Sequence, residues 1–229
     1  MALLLNIDTA TGYAGICLSR GGEILAIEET EDQKNHATFI QPAIKRVMHC
    51  SGHALADIDA VAVTGGPGSY TGLRVGLSSA KGLCYALKKP LIMVNTLEVM
   101  AFAAIKQWQN ERESLENVLF CPMIDARRME VFAAIYDQQL NILMPPAAII
   151  LDESSFRDEL SGHSIIFSGS GSTKAKIIKH QNAVFFEKRH NCSHLNALAQ
   201  LRYNASSFAD LAYSEPFYLK DFYKHVKKN

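Results

Sequence analysis

An apolar run closes on Ile7-Asp8-Thr9-Ala10, and 117 residues after Asp8 another closes on Ile124-Asp125-Ala126-Arg127. Each aspartate is followed by a second apolar run (residues 14–18 and 131–136), a polar turn (20–23 and 137–139) and a third run. Short apolar runs broken by turn residues read as strand, turn, strand, turn, strand. In the first copy Gly21-Gly22 supplies the positive φ that a tight hairpin requires. A meander met once says little. The same meander met twice, half a chain apart, reads as two similar lobes, with two unrelated meanders as the alternative.

Helices and further strands follow each copy. Residues 38–48 are apolar at 39, 40, 43, 44, 47 and 48, a helical stripe, and Pro42 falls early enough to be tolerated. A short β-branched run over 59–64 ends in Gly65-Gly66-Pro67-Gly68-Ser69-Tyr70-Thr71-Gly72. A helix over 73–87, a strand over 91–94 and a helix over 97–108 come next, and the polar stretch 109–117 serves as a surface connector. In the second half, residues 164–167 lead into a Gly-Ser run at 168–172, with helices expected over 173–180 and 194–205. The layout is that of a duplicated actin-like (ribonuclease H-like) α/β fold. It predicts a lobe over 1–110, a reduced lobe over 111–211, and a segment 212–229 that returns to the first.

Composition narrows the function. A formal net charge of zero and a pI near 7.1 give no field that would hold nucleic acid or an anionic membrane. If RNA is involved, another protein supplies the grip. The five cysteines (Cys17, Cys50, Cys84, Cys121, Cys192) are widely spaced and form no Cys-x-x-Cys pair. Three lie in apolar runs, where cysteine acts as a small hydrophobe, which suits a reducing compartment. The opening MALLLNIDTA is short for a signal peptide and lacks a basic leader. No run reaches the ~20 apolar residues of a membrane helix. A cytoplasmic protein is expected.

GGPGSYTG sits between a strand and a helix, where backbone N–H groups and the helix dipole favour an anion. No Lys-Ser or Lys-Thr closes it into a Walker loop, and Ser69-Tyr70-Thr71-Gly72 is not a nucleophile elbow. A tight packing turn and an anion contact both remain open. The longer stretch GGPGSYTGLRVGLSSAKGLCYAL closely resembles the signature of the TsaB family of bacterial threonylcarbamoyladenosine biosynthesis proteins. LNIDTAT, NHATFIQPAI, MIDARRMEVFAAIY and EPFYLKD agree with it, so the resemblance spans nearly the whole chain. It implies the actin-like fold, heterodimer formation with a TsaD-type catalytic subunit, and a TsaE-type ATPase working with that pair. tRNA, modified at the adenosine next to the anticodon, would be reached through the complex.

The catalytic relative carries a His-x-x-x-His metal pair in a Val-Asn-His-x-Glu-x-His context. This chain has Val94-Asn95-Thr96-Leu97-Glu98-Val99-Met100, with Thr96 and Met100 in place of the two histidines. Neither a hydroxyl nor a thioether replaces imidazole there, so neither a metal nor another cofactor is expected. His49 and His53 have the same spacing, but Ser51-Gly52 should end their helix and separate them, leaving a solvated helix end as the alternative.

Actin-like ATPases wrap phosphates with a glycine-bearing turn after each Asp strand. The first copy keeps Asp8, Thr11 and Gly12, whereas Asp125-Ala126-Arg127-Arg128-Met129-Glu130 has no glycine, which hinders backbone approach to a phosphate. A weak nucleotide or anion contact at Asp8, Thr11, Gly12, Gly68, Ser69 and Arg127 is expected, with no catalytic residue. For Arg127 and Arg128 an exposed Arg-Glu cluster is the alternative.

The helix over 73–87 is rich in small residues, which suits dense packing inside the domain or a partner helix alike. The resemblance favours the partner, through His36, Phe39, Ile40, Leu73, Arg74, Gly76, Leu77, Ala80 and Leu83. The same surface could pair with itself as a homodimer when the partner is absent. The basic end, residues 220–228, reads as a solvated terminus or a contact for tRNA phosphates. The function expected is a non-catalytic subunit that docks and activates the catalytic one. The rivals are an ATP-dependent phosphotransferase and a peptidase of the same fold.

Overall fold

The computed structural model describes residues 1–32, 35–111, 117–186 and 189–220. Strand β1 (Leu3–Asp8) is buried along its whole length, which a strand can be only if both sheet faces are covered. Leu3, Leu5 and Ile7 point to one core, and Leu4 and the Asn6 amide to the other side. β2 (Ala14–Arg20) and β3 (Glu23–Thr30) continue antiparallel from it, while β4 (Ala60–Gly66) and β5 (Leu91–Asn95) run parallel. The sheet order is β3-β2-β1-β4-β5.

The second sheet repeats this plan. β6 (Val118–Asp125), β7 (Glu130–Tyr136), β8 (Ile142–Ile150), β9 (Ser164–Ser168) and β10 (Ala183–Phe186) lie in the order β8-β7-β6-β9-β10. Here too the first three strands are antiparallel and the last two parallel. The repeated Asp-ended strand is therefore the middle strand of both sheets, and the fold is a duplicated two-lobe α/β fold of the actin-like type.

Among the described residues six α-helices cover the sheets. α1 (His36–Ser51) and α2 (Tyr70–Leu87) pack one face of the first sheet through Ile40, Ile44, Val47, Leu77 and Ala80. α4 (Arg157–Gly162) and α5 (Ser172–Ala175) cover one face of the second through Leu160 and Ala175. The other two helices cross over. α3 (Thr96–Glu111), from the first half, lays Leu97, Met100, Ala104 and Trp108 against Phe120, Ile124 and Ile166 of the second sheet. α6 (Cys192–Asn204), from the second half, lays Leu195, Leu198 and Ala199 against Leu4, Ala60 and Ala62 of the first.

The helix α6, from the stretch 111–211 expected to form one lobe, packs on the first sheet. Fully burying a leucine stabilises by about 1.5–3 kcal/mol, and α6 finds that burial on the first sheet and on α3. Asn196 fixes the docking by accepting from Ser19 Oγ at 2.5 Å and donating to Gly22 O at 2.9 Å. Arg202 pairs with Glu98 of α3 at 2.6 Å, so the crossing helices are joined to each other.

After α6 the chain runs back along the first lobe. Ala209 N donates to Leu91 O, Lys81 Nζ to Ala212 O and Ser214 O, and Phe217 N to Gly65 O. The helix expected over 173–180 is one turn only, and the basic end beyond Lys220 lies outside the described residues.

Candidate functional site

Two turns from different lobes face each other across a cleft of about 570 Å³. Thr11, Gly12 and Tyr13 follow β1; Ser168 ends β9, Gly169 and Ser170 follow it, and Ser172 and Thr173 open α5. Met100 of α3, Glu31, Arg189 and His190 complete the wall. The cleft lies at the carboxyl ends of β1 and β9, where α/β sheets bind ligands.

Beneath it Asp8 is fully buried. Its Oδ1 accepts from Ala10 N at 3.2 Å and from Thr64 Oγ1 at 3.0 Å. Its Oδ2 lies 3.1 Å from His190 Nε2, at ion-pair distance. The His190 ring packs at 72° to the Tyr13 ring, 5.7 Å between centroids. The Tyr13 hydroxyl accepts from Cys192 N at 2.9 Å and donates to Glu29 at 2.8 Å, and burial pushes its titration far above the ordinary phenol range.

The glycine-rich stretch seats α2 on the turn after β1. Ser69 caps α2 by accepting from Gly72 N at 3.3 Å, and its own N–H donates to Ala10 O at 2.7 Å. A Cβ on Gly68 would overlap the Ala10 carbonyl, one on Gly72 the Thr9 carbonyl, and one on Gly76 the Thr9 hydroxyl. These glycines let α2 lie directly on the turn after β1. Of the expected anion contacts, Thr11 and Gly12 line the cleft and Asp8 lies beneath them. Gly68, Ser69 and Arg127 do not line it.

The second aspartate is not a mirror of the first. Asp125 Oδ1 accepts from Lys174 Nζ and Arg127 N, both at 2.7 Å. Partial burial alone would raise its pKa, but these bonds outweigh it and hold the carboxyl below the usual range. Arg127 and Arg128 take left-handed φ values of 71° and 49°, a conformation that costs a side-chain-bearing residue roughly 1–2 kcal/mol.

Thr96 is fully buried at the start of α3 and Met100 fills space against Gly169. Among the described residues no group of three or more His, Cys, Asp or Glu side chains is placed to hold a metal ion. The α1 helix ends at Gly52 with φ 71°. His53, beyond it, lies 2.7 Å from Ser51 O through Nδ1 and 2.8 Å from Arg20 through Nε2, so both ring nitrogens are occupied.

Much of the expected partner surface faces inward, which corrects the residue assignment. His36 and Ile40 of α1 and Leu73, Gly76, Leu77 and Ala80 of α2 are buried in the first lobe, where these helix faces pack towards its sheet. Arg74 is exposed and stacks on Tyr70, 3.9 Å from the ring centroid, while Phe39 and Leu83 are half-buried at the rim. The sequence reasoning missed Arg189 and His190 altogether. They belong to no motif, and only the return of α6 to the first lobe brings His190 to Asp8 and Arg189 to Glu31. The Gly-Ser run at 168–172 was a visible signal, and it forms the far wall.

A duplicated actin-like fold with its aspartate at an interlobe cleft defines the class. Within it, the chain belongs to the family described as TsaD, tRNA N6-adenosine threonylcarbamoyltransferase, whose family model matches residues 23–221. It is similar to the tRNA threonylcarbamoyladenosine biosynthesis protein TsaB of Bacillus subtilis, 34% identical over 140 residues, 61% of this chain and 57% of that protein. The TsaB of Haemophilus influenzae is 39% identical over 129 residues, 56% of this chain and 51% of that protein. The chain thus spans about half the length of the curated relatives it matches. The crystal structure of a Pseudomonas aeruginosa protein described as uncharacterized with similarity to the peptidase YeaZ covers 96% of this chain and 100% of its own. It superposes with a TM-score of 0.82 at 22% identity, a match of fold. Among the described residues no helix is long and apolar enough to cross a membrane.

Proposed function

We propose that the chain is a non-catalytic subunit for threonylcarbamoyladenosine modification of tRNA, docking and activating a TsaD-type catalytic subunit that works with a TsaE-type ATPase. The names of the relatives support the pathway, and Thr96 and Met100 in place of metal-binding histidines support the non-catalytic role. The observation that carries the docking surface is Gly82. Glycine inside a helix costs about 1 kcal/mol relative to alanine. A Cβ at Gly82 would meet nothing within 4 Å, so packing inside the chain does not call for glycine there. Close approach by another protein does.

The surface is then the outer side of α2, with Arg74, Ser78, Gly82 and the 81%-exposed Tyr85, bordered by Phe39 and Leu83. The test is calorimetric binding of a TsaD-type subunit to Gly82→Arg, a change that the open space around residue 82 lets the fold accept. Affinity should fall at least about tenfold, the scale of a central interface position, with the melting temperature kept. Unchanged affinity places the interface elsewhere.

A further inference from the structure

The interlobe cleft, at about 570 Å³, falls within the roughly 300–1,000 Å³ typical of small-molecule sites. Its reachable polar groups are hydroxyls and a backbone amide. Ser170 and Thr173 are exposed on one wall, and half-buried Thr11 and exposed Gly12 face them from the other. The Ser170 hydroxyl accepts from Asp125 N at 3.1 Å and the Thr11 hydroxyl from Tyr13 N at 3.3 Å, which leaves each with a proton to donate. Among the described residues nothing pairs with the Thr173 hydroxyl or the Gly12 N–H. The half-buried Tyr13 ring and the Met100 side chain add apolar wall.

Charge decides what kind of molecule these groups suit. The arginine of the lining, Arg189, is paired with Glu31 at 2.9 Å. His190 is paired with the buried Asp8 at 3.1 Å, and Lys174 with Asp125, beside Ser170, at 2.7 Å. Among the described residues the lining thus has no positive charge left over for a polyphosphate, and no cluster to hold a metal ion that would accompany one. An anion entering here would give up hydration without gaining an opposite charge. A neutral ring bearing several hydroxyls loses less. Each of its hydroxyls both donates and accepts, as do those of Thr11, Ser170 and Thr173. The Glu31 carboxylate can accept from them, Arg189 can donate, and the ring's apolar face matches Tyr13 and Met100.

We propose that the cleft binds a neutral polyhydroxylated ring, the chemistry shared by a sugar and the ribose of a nucleoside, and discriminates against phosphorylated forms. The contact expected at Thr11 and Gly12 then serves hydroxyls rather than phosphates. None of these residues belongs to the outer side of α2, so the site and the docking surface stand or fall separately.

The probes are two pairs, adenosine with adenosine monophosphate and glucose with glucose phosphate, titrated calorimetrically into the full chain. At least one neutral probe should bind at one site per chain, and which one does so tells a nucleoside site from a sugar site. Its phosphorylated counterpart should bind at least about tenfold more weakly. Thr173→Val should weaken the neutral probe about fivefold, the loss of one hydrogen bond. Glu31→Gln frees Arg189 and should narrow or reverse the preference over the phosphate. Both side chains are exposed, so the fold should be kept, and melting temperatures without ligand check it. Four results overturn the proposal: no binding of either neutral probe at millimolar concentration, tighter binding of a phosphorylated form by the wild-type chain, equal binding by Thr173→Val, or an unchanged preference in Glu31→Gln.

Discussion

Alanine in place of glycine should have opposite effects at two positions of α2, ten residues apart. At Gly82 the added methyl meets open space, so only the backbone effect acts, and Gly82→Ala should stabilise by about 0.5–1 kcal/mol. For a chain of this size that is a rise of roughly 2–4 °C per kcal/mol in melting temperature. At Gly72 the methyl overlaps the Thr9 backbone carbonyl, which no rotamer change can move aside. The helix must withdraw, an overpacking cost of about 1–3 kcal/mol. It also loses the 2.7 Å bond from Thr9 Oγ1 to Gly72 O, worth about 1 kcal/mol. Set against the helix gain, Gly72→Ala should destabilise by about 1–3 kcal/mol. Urea titrations followed by circular dichroism, with thermal melts of both variants, supply the numbers. A stabilised Gly72→Ala would refute the claim that the glycine-rich stretch exists to seat α2 on the turn after β1.

Stability should fall as pH drops from about 6.5, the ordinary histidine value. Burial lowers the pKa of His36, and burial followed by the neighbouring His190 lowers that of His194, so the unfolded chain binds protons that the folded one refuses. Their contribution is present above 6.5 and lost below, and His36→Gln should shrink the drop in urea midpoint between pH 7.5 and pH 5.5. Arg128→Gly should be stabilising by up to about 1 kcal/mol in the same assay, because glycine takes the left-handed φ without strain. Thr64→Val removes a donor from the buried Asp8 carboxylate and should cost about 1–3 kcal/mol.

The duplication was legible because each copy ends its middle strand in Asp and follows it with the same turns; strand order then follows from the repeat. Which sheet a helix covers was not legible. The apolar stripes of α3 and α6 show a buried face but not a partner, and both cross to the opposite sheet. The small residues of α2 were read towards a partner, and most of them turn out to serve contact with Thr9, Ala10 and β4. That contact is long-range and leaves no local pattern. Gly82 alone keeps the outward reading. His190 was invisible for the same reason, since its partner Asp8 lies 182 residues away in sequence.

The central claim is that this chain lacks transfer chemistry of its own and confers it on a partner. Transfer of a labelled threonylcarbamoyl group to tRNA, by a TsaD-type subunit and its TsaE-type ATPase with and without this chain, tests it most directly. The account predicts no transfer by this chain alone, and transfer by the partner only when the chain is added, reduced by Gly82→Arg. Turnover by this chain in isolation, or a partner indifferent to its presence, would contradict it.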